Sequence, residues 1–123
     1  MLDNVIIQHP GGPGVRDRRY DVLFEEVQIG PVKTKNRFYQ VPHCNGGGYR
    51  DPSAVARMRN IKAEGGWGVI NTEQVEIHAS SEISPFIELR IWDDADMPML
   101  TRIVDSIHEH DALAGIELCY NGM

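Results

Sequence analysis

Trp67-Gly68-Val69-Ile70-Asn71-Thr72-Glu73-Gln74-Val75-Glu76-Ile77 decides the fold. Its early part is apolar on both faces, which is how a strand buried inside a parallel sheet reads. Its later part turns polar at Glu73, Gln74 and Glu76, where a purely structural strand would stay apolar.

Upstream of it, Asp51-Pro52-Ser53 predicts a helix start, with Asp as cap and Pro at the first helical position. That helix is expected to run to Glu64 and stop at Gly65-Gly66, where glycine can turn left-handed. Further upstream, Asn36 to His43 alternates aromatic and β-branched residues with polar ones and reads as a first strand. Downstream, a polar loop is expected from His78 to about Asp94. Leu100, Ile103, Val104 and Ile107 then form one apolar stripe of a helix lying on a sheet. Leu113 to Tyr120 reads as a third strand.

Strand, helix, strand, helix, strand with connections of this length implies parallel strands joined by right-handed crossovers. A doubly wound sheet and the start of a (β/α)8 barrel both fit. The first would put a G-x-G-x-x-G turn after the first strand. Asn45-Gly46-Gly47-Gly48 lacks that spacing. The barrel is the better reading, and three strands in 123 residues make this its N-terminal portion, because a full barrel takes about 250 residues.

Before this array, Val27, Ile29 and Val32 alternate around Gly30-Pro31, which predicts a small leading hairpin. Residues 1–20 are expected to be an irregular leader, since His9-Pro10-Gly11-Gly12-Pro13-Gly14 suits neither a helix nor a central strand. Residues 21–123 are assigned to the barrel.

Composition narrows the function. A net charge of −6 argues against a nucleic-acid partner, because phosphate binding needs clustered Lys and Arg. No apolar run reaches the roughly 18 residues of a membrane helix, and the N-terminus does not read as a secretory signal. With two cysteines in dissimilar contexts, a disulfide framework is not expected and a cytoplasmic setting is the default. His78, His108 and His110 lack metal-ligand spacing, so no metal site is assigned. Trp67, Trp92 and Cys119 read as packing residues.

Barrel active sites lie at the C-terminal ends of the strands. Those ends are His43-Cys44, Glu73 through Glu76, and Glu117 through Asn121, and all three are polar. Five ordered motifs then give a specific resemblance: Arg37 to Cys44, Lys62 to Trp67, Asn71-Thr72-Glu73, Arg90 to Asp93, and Leu113 to Leu118. From about Asp21 to Met123 the chain resembles the trimethylamine, dimethylamine and histamine dehydrogenases of the old yellow enzyme superfamily.

The resemblance implies FMN at the mouth of the barrel, with Cys44 as the thiol bonded to flavin C6. It implies cofactor contacts from Val41, Pro42, His43, Glu73 and Glu117. The family's catalytic residues would lie outside these 123 residues. Gln74 stands where trimethylamine dehydrogenase has a tyrosine that offers a cation–π face. An amide suits an amine that still carries N–H, so a dimethylamine-like or histamine-like substrate is expected over trimethylamine. A [4Fe–4S] cluster, transfer of electrons to an electron-transferring flavoprotein, and a homo-oligomer are implied for the complete enzyme only. The rival expectation is an inactive fragment or a non-catalytic interaction module.

Overall fold

The computed structural model describes residues 17–48, 50–81 and 89–122. The glycine- and proline-rich stretch of the expected leader lies outside these residues. Residues Arg18–Phe24 form a 3-10 helix rather than continuing an irregular leader, capped by the Asp17 carboxylate on the Arg19 amide at 3.0 Å. The expected hairpin is present as β1 (Val27–Ile29) and β2 (Val32–Thr34), with Ile29 opposite Val32. Gly30 has φ of 54°, the positive value that a two-residue turn beginning with glycine requires.

Local chemistry starts α1 (Pro52–Glu64) where the sequence places it. The Asp51 carboxylate accepts from the Ala54 amide at 3.0 Å, and Pro52 occupies the first turn. The chain leaves the helix through Gly66 at φ 97°. α2 (Met97–His108) is entered through a 3-10 turn, Asp94–Asp96, that carries a tighter device. Asp93 accepts from the Ala95 amide while Asp96 reaches back to the Asp93 amide, and Asp96 pairs with Arg90 at 2.5 Å. The Arg90 guanidinium also lies 5.3 Å from the Trp92 ring centre. The Arg90-Ile91-Trp92-Asp93 motif thus fixes the entry to α2.

The sheet runs β3 (Tyr39–Gln40), β4 (Val69–Glu76) and β6 (Leu113–Cys119), with β4 parallel to both others. Sequential parallel strands joined by α1 and α2 are the first three strands of a (β/α)8 barrel. One face packs on the helices. Ile70, Val75, Leu89, Val55, Ala56, Ala63, Leu100, Ile103, Ile107 and Ala112 form the buried core. Asn60 ties the helices together by donating to the Ser106 carbonyl at 2.9 Å.

Two expectations need correction. The first strand is not eight residues long: only Tyr39 and Gln40 pair, opposite Val69 and Ile70. Beyond them the ladder is replaced by side chains, because Asn71 Nδ2 donates to the Gln40 carbonyl at 2.5 Å and Pro42 has no N–H to offer. The loop after His78 is not purely irregular either. It contains β5 (Leu89–Arg90), parallel to the end of β4 at Val75 and Glu76. Two-residue strands carry too little periodicity to be read from sequence.

A shift of register between Asn71 and Gln74 puts one extra residue in β4 against β6. Just before it, Asn71 faces Gly115, where an added Cβ would fall on the Asn71 side-chain oxygen. Gly115→Ala in the complete protein is expected to cost about 1–3 kcal/mol through overpacking. Urea denaturation checks this, and an unchanged midpoint would mean that Asn71 has room to move.

Candidate functional site

The C-terminal ends of β3, β4 and β6 share one rim. At the first, Val41, His43 and Cys44 are exposed and Pro42 half-buried, so this segment reaches the surface at the rim. Neither cysteine is in a disulfide. The segment is held from below. Arg59 on α1, fully buried, donates through Nη2 to the His43 carbonyl at 3.0 Å and through Nε to the Asn71 carbonyl at 2.9 Å. The Glu73 carboxylate, also fully buried, accepts from the Asn45 amide at 3.0 Å.

At the second strand end, Gln74 is half-buried and donates to Glu76 Oε1 at 2.8 Å. Asn121 donates to the same oxygen at 2.9 Å. Glu76 is fully buried, and its Oε2, like Glu73 Oε1, finds no partner among the described residues. Gln74 is in register with Glu117, and Glu76 with Cys119. Parallel partners share a face, so these four residues lie on the side of the sheet away from the helices.

Glu117 is exposed rather than buried, because β6 has no strand on its far side among the described residues. Ile116 and Leu118 are exposed on the same strand. Burial, together with Glu76 and Glu117, pushes the Cys119 thiol up from its ordinary value. Desolvation lowers the Arg59 guanidinium, and Glu73 and Cys44 act in the opposite sense.

The sequence-selected residues therefore gather at one end, with Val41, Pro42, His43, Cys44 and Glu73 around the first loop and Gln74 and Glu117 across β4 and β6. Sequence reading missed Arg59 and Glu76. A charged residue in a helix reads as surface, although its spacing of four from Val55 and Ala63 sets Arg59 on the buried stripe of α1. Glu76 had a signal, since Glu73, Gln74 and Glu76 together break an apolar strand. A cavity of about 230 Å3 lies at the opposite end of the strands, beneath the hairpin, lined by Val27, Ile29, Asn36, Tyr39 and Val69 among others. It is lined by hairpin and strand-start residues and is remote from the polar rim.

Three parallel strands with convergent carboxylates and a thiol at their C-terminal ends define part of a barrel enzyme. The comparisons name the family: residues 22–123 match the NADH:flavin oxidoreductase / NADH oxidase family, and the chain belongs to it. It is 50% identical over 107 residues to dimethylamine dehydrogenase from Hyphomicrobium sp., covering 87% of this chain and 14% of that protein. The solved structure of histamine dehydrogenase from Rhizobium sp. 4-9 matches with TM-score 0.80 and 69% identity, over 83% of this chain and 15% of that one. An amine oxidase acting on 6-hydroxypseudooxynicotine, from Pseudomonas geniculata N1, matches with TM-score 0.81 and 47% identity, over 86% and 16%. The chain thus spans about one-seventh of these relatives, aligned with their N-terminal part.

The residues present fit a flavin. The ring system offers N–H donors and carbonyl acceptors along one edge and a hydrocarbon edge opposite. Carboxylate oxygens of Glu73 and Glu76 that find no partner among the described residues suit the donors, and the exposed Val41–Cys44 segment suits close approach of a flat ring.

Proposed function

We propose that this chain is the first part of the FMN-binding barrel of an amine dehydrogenase that oxidises the C–N bond of a small secondary or primary amine. The observation that carries the reading is the placement of the exposed Cys44 thiol on the same rim as Gln74 and the buried Glu73. Close similarity to dimethylamine and histamine dehydrogenases supports it.

FMN, when bound, supplies the two-electron acceptor that amino-acid side chains lack. The work of this chain is to hold and orient. Cys44 would anchor the cofactor covalently at C6, Val41, Pro42 and His43 would line its edge, and Glu73 and Glu117 would accept hydrogen bonds from its N–H groups. Gln74 would present an amide to the substrate nitrogen, donating or accepting according to the N–H groups it carries. Because it offers no π face, it favours an amine retaining N–H over a tertiary ammonium.

The complete protein is further proposed to carry a [4Fe–4S] cluster, to pass electrons to an electron-transferring flavoprotein in the cytoplasm, and to form a homo-oligomer. The 123 residues alone are proposed to be inactive, since three strands leave the inner face of the barrel open. No helix of the described residues is long and apolar enough to cross a membrane, and no group of three potential metal ligands occurs among them.

Anaerobic mixing of the complete protein with dimethylamine, histamine or NADPH tests the reading. Bleaching of the flavin absorbance by an amine is expected. Bleaching by NADPH alone would replace the proposal with a nicotinamide-dependent reductase. Gln74→Tyr is expected to shift the ratio of kcat/KM for trimethylamine over dimethylamine upward by about thirtyfold, the scale of one cation–π contact of about 2 kcal/mol with a desolvated cation. An unchanged ratio would remove Gln74 from the specificity argument.

A further inference from the structure

We propose that Arg59 and Glu73 are positioning residues that clamp the His43–Asn45 segment between a buried cation and a buried carboxylate and so fix where the Cys44 sulfur points. The inference rests on the reading of Cys44 as the cofactor anchor, and it adds two residues that touch the backbone on either side of that cysteine.

The geometry is specific. Arg59 takes the carbonyl of the residue before Cys44, and Glu73 takes the amide of the residue after it, at 3.0 Å in each case. Cys44 lies between the two anchored peptide groups while remaining exposed. A segment followed by three glycines has little stiffness of its own. Two charge-assisted bonds from rigid elements supply it. One comes from α1 and the other from β4, so the segment is referenced to both layers of the fold.

Stability alone accounts poorly for these residues. A buried guanidinium whose Nη1, and a buried carboxylate whose Oε1, find no partner among the described residues each retain desolvation cost that an apolar pair would avoid. Arg59 also spends its second bond on the Asn71 carbonyl, which the short β3 leaves without a ladder partner. One planar fork thereby ties the loop to the irregular part of β4, and lysine cannot reproduce it from a single ammonium.

The test uses the complete protein, and labelling of Cys44 is read by mass spectrometry on the peptide that carries it. Arg59→Lys and Glu73→Ala are expected to lower the acid-stable fraction of bound flavin roughly tenfold, about the effect of one hydrogen bond to a charged group. Total flavin and circular dichroism of Arg59→Lys should stay at parent values, and Glu73→Ala is scored as the share of its bound flavin that survives acid. Glu73→Gln keeps an acceptor for the Asn45 amide and is expected to restore the parent fraction. If Glu73→Ala does not fold, Arg59→Lys against Glu73→Gln decides. Variants that all match the parent, or Glu73→Gln losing as much as Glu73→Ala, would overturn the clamp. Should the parent itself release its flavin in acid, the covalent reading fails by itself. The clamp is then judged by the iodoacetamide labelling rate of Cys44, where a change in Arg59→Lys and Glu73→Ala but not in Glu73→Gln supports it, and equal rates overturn it.

Discussion

Cys44→Ser in the complete protein is expected to convert a flavin that survives acid precipitation into one released entirely to the supernatant. Serine matches the shape of cysteine, but its hydroxyl does not ionise near neutral pH and so provides no thiolate to bond the ring. Cys44 is exposed, so the exchange should leave stability within about 0.5 kcal/mol of the parent. Flavin should still bind through the contacts proposed for Val41–His43, Glu73 and Glu117, now reversibly. Absorbance of the pellet and supernatant after trichloroacetic acid checks the outcome. A pellet that stays yellow would move the bond to another residue. Cys119 is a poor substitute, since burial and two carboxylates push its thiol up from the ordinary value, and its sulfur lies 3.3 Å from Asn121 Oδ1.

The parts of the fold legible in sequence were those where one local rule operates at full strength. Asp51-Pro52 and Gly65-Gly66 bound α1 because capping and left-handed turns depend on a few adjacent residues. The stripe of Leu100, Ile103 and Ile107 placed α2 because helical period and burial coincide there. β3 was over-read. Its alternation continues to His43, yet pairing stops at Gln40, since ladder length depends on the partner strand and not on the chain's own pattern. β5 was missed for the same reason, being held by its match to Val75 and Glu76 rather than by its own two residues.

The site divides along a similar line. Polar residues at strand ends stand out in sequence, so Cys44, Glu73, Gln74 and Glu117 were visible as exceptions to an apolar pattern. Arg59 was not, because a charged side chain reads as surface, although its spacing of four from Val55 and Ala63 sets it on the buried stripe that the exposed Arg57 misses. Glu117 is the converse case: its position is legible, but its burial depends on a neighbour to β6 that the described residues do not include.

Ile70→Ala is expected to be the most costly single truncation in this segment, lowering unfolding free energy of the complete protein by about 2–5 kcal/mol. Ile70 is fully buried near the start of β4, in register with Gln40 on one side and Ala114 on the other. It packs in the cluster with Val55, Ala56, Ala63, Ile103 and Ile107 of the two helices. Strands pinned on both sides and helices joined through Asn60 and Ser106 leave little freedom to close the cavity, which favours the upper half of that range. Leu118 makes the contrast: it lies on the same face, opposite Val75, yet remains 64% exposed and contributes nothing comparable within this segment. The urea midpoint checks the prediction, and a loss under about 1 kcal/mol would mean that the two-layer packing relaxes freely around β4. Because Ile70 points toward the helices and away from Cys44, the folded fraction of Ile70→Ala should keep its acid-stable flavin. A variant that lost both stability and the covalent flavin would show that the packing of α1 on β4 also sets the rim.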